Sequence, residues 1–124
     1  GGAIATELGV LELDSSGFAD TGASLINNAG TVGGTAAKYV GGIHKGHRAV
    51  RWDAGGTTAT ELGNLGLSDS GITFVSVSDI NKMGTIVGSL FKFDGDTAKG
   101  SRAVRWGASG TVATELGNLG LSGT

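Results

Sequence analysis

Apolar and polar residues alternate along this chain in short runs, and glycine or asparagine closes most of them. From residue 76 onward the pattern predicts four strands, at 76–80, 85–93, 101–106 and 111–116. Each is rich in β-branched or aromatic side chains, which pack well on a pleated surface. Asn81-Lys82-Met83-Gly84 has the Asn and Gly that suit the ends of a tight hairpin. Residues 94–100 read as a polar loop, and Gly107-Ala108-Ser109-Gly110 as the last turn. No window without internal glycine is long enough to sustain an apolar period of about 3.6 residues. The expected class is therefore all-β.

The pattern recurs. Ala-Thr-Glu-Leu-Gly begins at Ala5, Ala59 and Ala113, and both intervals are 54 residues. Residues 5–58 align without a gap on 59–112, with 27 identities in 54 positions, so the two copies should share one local structure. We read one repeat domain, 1–124, made of repeat one (5–58), repeat two (59–112) and a partial third repeat (113–124). Four strands per repeat is the count of a propeller blade, and 54 lies nearer the roughly 40–50 residues of blades than the 20–30 of solenoid rungs. The expectation is tandem four-stranded antiparallel blade-like repeats, β-propeller-like, about two per chain. Strand parity puts Trp52 with Val50, and Trp106 with Val104, on the buried face, and Arg51 and Arg105 on the opposite one. The expected core is Leu8, Leu11, Ile26, Val32, Val50 and Trp52, with the copies Leu62, Leu65, Ile80, Ile86, Val104 and Trp106.

Composition supports a folded chain, because Leu, Ile, Val and Phe make up 30 of 124 residues, above the roughly 20% below which disorder prevails. Nine basic against 11 acidic side chains give a net charge of −2, which offers no basic footprint for nucleic acid or an anionic membrane. No apolar run reaches the roughly 20 residues of a membrane-spanning helix. The absence of cysteine excludes disulfides and thiolate metal sites.

The run Ile80-Asn81-x-x-Gly84-x-Ile86-Val87-Gly88, then Arg102-Ala103-Val104-Arg105-Trp106, then Glu115-Leu116-Gly117-Asn118-Leu119-Gly120, resembles the bacterial HAF repeat. Units of that family read Ile-Asn-x-x-Gly-x-Val-Val-Gly, His-Ala-Phe-x-Trp and Asp-Leu-Gly-x-Leu-Gly. The first copy matches at Ile26, Asn27, Gly30, Gly34, 48–52 and 7–9, so the resemblance covers nearly the whole chain. Arg48 and Arg102 stand where the family has His, and Val50 and Val104 where it has Phe. The resemblance implies a β-propeller repeat of extracellular, secreted or cell-surface bacterial proteins, mostly without an assigned activity.

Chemistry is sparse. His44 and His47 are the only histidines and lack a third ligand, and Asp94-Gly95-Asp96 and Asp79 with Asn81 do not complete a calcium loop. No nucleophile elbow, paired buried carboxylates or phosphate-binding glycine loop is present, since Gly117, Gly120 and Gly123 lack the context of one. No catalytic residue, metal site or cofactor is therefore expected, and the chain reads as non-enzymatic. Trp52 and Trp106, with Arg51 and Arg105, are candidates for stacking on and hydrogen-bonding a glycan. Core packing is the stronger reading of the two rings. The arginines should pair with Glu7, Glu61 and Glu115 on adjacent strands.

Two blades cannot close a ring that takes at least four, and open sheet edges pair with any available strand. Ile4, Ala5, Thr6, Glu7 and Leu8 copy the strand Thr111, Val112, Ala113, Thr114, Glu115 and Leu116, so the same strand stands at both ends. The expected partner is a second copy of the chain, joined through these strands into a ring or filament. A lectin-like glycan-binding propeller and a fragment of a larger propeller protein are the alternatives.

Overall fold

The computed structural model describes residues 4–120, and among them are eight strands and no helix. β1 (Thr21–Ile26), β2 (Val32–Val40), β3 (Ile43–Trp52) and β4 (Ala59–Glu61) form one antiparallel sheet in chain order. β5 (Val75–Ile80), β6 (Ile86–Asp94), β7 (Thr97–Trp106) and β8 (Ala113–Glu115) form a second in the same order. The registers coincide after a shift of 54. Val32 faces Trp52 as Ile86 faces Trp106, and Val50 faces Glu61 as Val104 faces Glu115. Even the irregularities repeat, between Ala23 and Leu25 in β1 and between Val77 and Asp79 in β5.

The first turn of each sheet is built by one asparagine. Asn81 Oδ1 accepts from Met83 N at 3.1 Å and Thr85 N at 2.9 Å, and Gly84 N closes the turn onto the Asn81 carbonyl. Gly84 adopts φ +98°, a left-handed conformation that costs glycine little. Asn27 and Gly30 do the same in the first sheet. The loop expected at 94–100 is instead a two-residue hairpin turn, because Asp94 pairs with Thr97 and β7 starts there. Gly95 at φ +61° supplies the positive angle that a tight hairpin needs at its first central position.

The sheets stack on each other in one sense. The face of the first sheet that carries Leu25 and Ala49, here called its trailing face, packs on Val75, Ile86, Leu90, Val104 and Trp106 of the second. Those residues lie on the second sheet's leading face, where Leu62 and Leu65 from the connecting segment also insert. The first sheet's leading face holds Ala36, Val50 and Trp52, covered by Leu8 and Leu11. Each tryptophan is fully buried and its Nε1 donates to a carbonyl 43 residues earlier, Gly9 for Trp52 (3.0 Å) and Gly63 for Trp106 (2.9 Å).

Two expectations fail for one reason. Ile26 is 69% exposed, whereas its copy Ile80 packs against the core between the sheets. Residues 4–8 form no strand, although the copies at β4 and β8 do. β4 and β8 pair with the β3-type strands of their own sheets, and among the described residues no such strand lies against residues 4–8 and no second sheet covers Ile26.

Candidate functional site

The contact between the sheets is made by side chains whose copies stand exposed at the far end of the stack. Arg51 leaves the trailing face of the first sheet, and its Nη1 donates to the carbonyls of Gly110 (2.8 Å) and Gly107 (3.4 Å) in the β7–β8 turn. The residue is only 5% exposed, and its Nε donates to Asp53 Oδ1 at 3.2 Å. Asn27 Nδ2 donates to the carbonyls of Asn81 (3.0 Å) and Lys82 (3.4 Å), so that a residue bonds its own copy one repeat on.

A third tie runs through the segment that enters the second sheet. His47 N donates to the Thr73 carbonyl, Thr73 Oγ1 donates to the Phe91 carbonyl, and Phe91 N donates to the Phe74 carbonyl. Buried Arg48 closes over this segment, giving Nη2 to Gly71 O at 3.1 Å and Nη1 to Thr73 O and Lys45 O. Its Nε lies 3.7 Å from Glu61, which also receives Lys38 Nζ at 2.9 Å. Burial lowers the Arg48 pKa while the Glu61 charge opposes that, and the Glu61 bond raises the pKa of Lys38. In the second sheet Arg102 and Lys92 hold Glu115 in the same way.

The glutamates thus pair with Arg48 and Arg102, and the expected pairing with Arg51 and Arg105 is corrected. Glu61 stands opposite Val50 in the ladder, so it shares the face of the even-numbered residues 48, 50 and 52. Of the candidate ligand residues, Trp52 and Trp106 are both completely buried, in agreement with the packing reading, and Arg51 is engaged between the sheets. Arg105 alone is exposed, with no hydrogen-bond partner among the described residues.

The stack therefore has two unlike ends. At the leading end an open cleft of about 410 Å³ is lined by Leu8, Val10, Ala19, Thr21, Ala23 and Trp52, among others. The copies of four of these, Leu62, Thr73, Val75 and Trp106, are buried between the sheets. At the trailing end Ala103, Arg105 and Asn81 are exposed, although their copies Ala49 and Arg51 are buried and Asn27 is half-buried. The sequence alone could not show this difference, because copies in register look alike. Only their place in the stack separates them. Among the described residues no three His, Cys, Asp or Glu side chains gather as metal ligands, and no helix is long and apolar enough to cross a membrane.

No protein-family model, curated protein or solved structure matches the chain.

Proposed function

We propose that the chain is a non-enzymatic, self-associating structural module that joins end to end with further copies of itself, as a propeller-like ring or a filament. One observation carries the reading: groups satisfied inside the stack are left open at its two ends, and the two sets are complementary by construction. Heterologous contacts of this kind either close or propagate. The terminal strands contribute to the joint. Residues 4–8 are unpaired, and β8 is an edge strand whose outer side is open, so the first can add to the second by main-chain pairing. The HAF-like motifs favour a propeller unit of a secreted or surface protein, and a structural role needs no pocket chemistry beyond what the chain carries.

Light scattering on the purified chain tests this. Association that rises through the micromolar range is expected, and a stable monomer throughout would end the proposal. The glycan-binding alternative would have to use exposed Arg105 without either ring, since both tryptophans are covered. Glycan-array binding by a strictly monomeric chain is the result that would favour it.

A further inference from the structure

We infer that the trailing face of the second sheet docks the leading face of a second copy, in the geometry that already joins the two sheets within the chain, with Arg105, Asn81 and Arg102 selecting that partner. The inference rests on the self-association just proposed and adds its face, orientation and recognition residues. Continuity with the internal interface identifies the occupant, because shifting each internal contact by one repeat names a donor here and an acceptor in the incoming copy.

Arg51 grips Gly107 and Gly110, so Arg105 would grip the incoming carbonyls of Asp53 and Gly56. That turn has the required shape already, with Gly56 N bonded to Asp53 O as Gly110 N is to Gly107 O. Asn27 donates to Asn81 and Lys82, so Asn81 would donate to the incoming Asn27 and Asn28. Arg48 holds Gly71 and Thr73, so Arg102 would hold the incoming Gly17 and Ala19. Gly17 and Gly71 share φ near +80° and the same turn bond, to Asp14 and Ser68 respectively. Arg102 has the donors for such a partner. Its Nε faces Glu115 at 3.5 Å, as Arg48 Nε faces Glu61, and its Nη1 and Nη2, the groups with which Arg48 holds Gly71 and Thr73, donate no hydrogen bond among the described residues.

The packing positions also fit. Within the chain, a Cβ on Gly33 would come within 3.1 Å of Ile86 Cδ1. At the joint Val87 takes the place of Gly33, and the incoming Val32 takes that of Ile86. Valine lacks the δ-carbon that would collide, so added bulk on one side meets removed bulk on the other. The joint is more polar than the internal interface, with Asp79 where Leu25 packs and Thr21 where Val75 is buried. It is accordingly the weaker and reversible contact of the two. Residues 5–7 and β8 are both copies of β4, so in this geometry the incoming residues 5–7 fall where β8 lies against β7, and docking exchanges the one segment for the other.

Four variants decide the matter, all at exposed positions and each checked for an unchanged far-ultraviolet circular dichroism spectrum. Asn81→Asp keeps the Oδ1 acceptor that builds its turn and loses the amide donor, and Arg105→Glu reverses the grip. Each should weaken association by at least about tenfold, at 1.4 kcal/mol per decade, because each loses a donor and turns a carboxylate on the carbonyls that would have accepted from it. Asp79→Leu restores the internal residue and should tighten association, a gain that misfolding cannot mimic. Ala23→Arg places a charged chain in the leading cleft. Arg105→Glu and Ala23→Arg should each be monomeric alone and form a species of twice the monomer mass when mixed, because each keeps the face the other lacks. Association that persists unchanged in both single variants would overturn the docking face while leaving self-association intact. A wild-type chain that never associates would remove both.

Discussion

Trp106 shows how much one side chain holds in this thin fold. It is fully buried among Ile86, Leu90, Val104 and Leu62, and its indole N–H fixes the connecting segment at Gly63. Trp106→Ala should cost about 3–5 kcal/mol by the behaviour of large-to-small core changes, read from urea melts followed by circular dichroism. A loss below about 1 kcal/mol would contradict the burial. Lys38 gives a second expectation, set by pH. Its bond to Glu61 raises its pKa above the ordinary 10.5. The folded state therefore holds this proton more tightly than the unfolded chain, so the stabilisation is complete below that ordinary value and disappears as pH rises through the folded value. Unfolding free energy should fall in that alkaline window, and Lys38→Met should flatten the slope there.

At the scale of the strand, close approach rather than propensity decides which glycines are needed. A Cβ on Gly88 would run into the Ser76 carbonyl across the β5–β6 pair, whereas one on Gly107 would meet nothing. Gly88→Ala should lose about 1–3 kcal/mol, as overpacking does, and Gly107→Ala should stay within about 0.5 kcal/mol, both checked by thermal melts. The all-β class and most of the second sheet's strands were legible in the sequence, because turn residues and period-two alternation are local signals. The β6–β7 turn was misread because polar Thr97 and Lys99 at a strand end look like loop. Ile26 and residues 4–8 were misread for a different reason. Their copies, Ile80 and β4, owe their burial and pairing to a neighbouring unit, and identity of sequence carries no information about neighbours. The same holds for Arg51 and Arg105, one buried and one exposed within identical pentapeptides.

The whole molecule behaves as a short stack in which each unit leans on the one before. Stability in such arrays is a sum of unit and interface terms, so damage at one end should stay local. Deleting residues 1–10 removes Leu8 and Gly9 from the Trp52 face and the unpaired segment 4–8 with them. Association should be abolished by light scattering, while protected amides in hydrogen exchange persist through β5–β8. Loss of protection across both sheets would mean that the units are not separable in this way.

Asn27 and Asn81 carry one further consequence, which concerns the ageing of the protein rather than its assembly. Side-chain amides are thermolabile, and hydrolysis of either residue to aspartate, which takes up a water and releases ammonia, leaves a carboxylate that still accepts the bonds of its own turn through Oδ1. The strand ends would keep their shape. At Asn27, however, the new carboxylate would point at the carbonyls of Asn81 and Lys82, which the amide now satisfies. A change of this kind leaves each sheet intact and sets the two against each other, so an old preparation would first come apart at the seam between its halves.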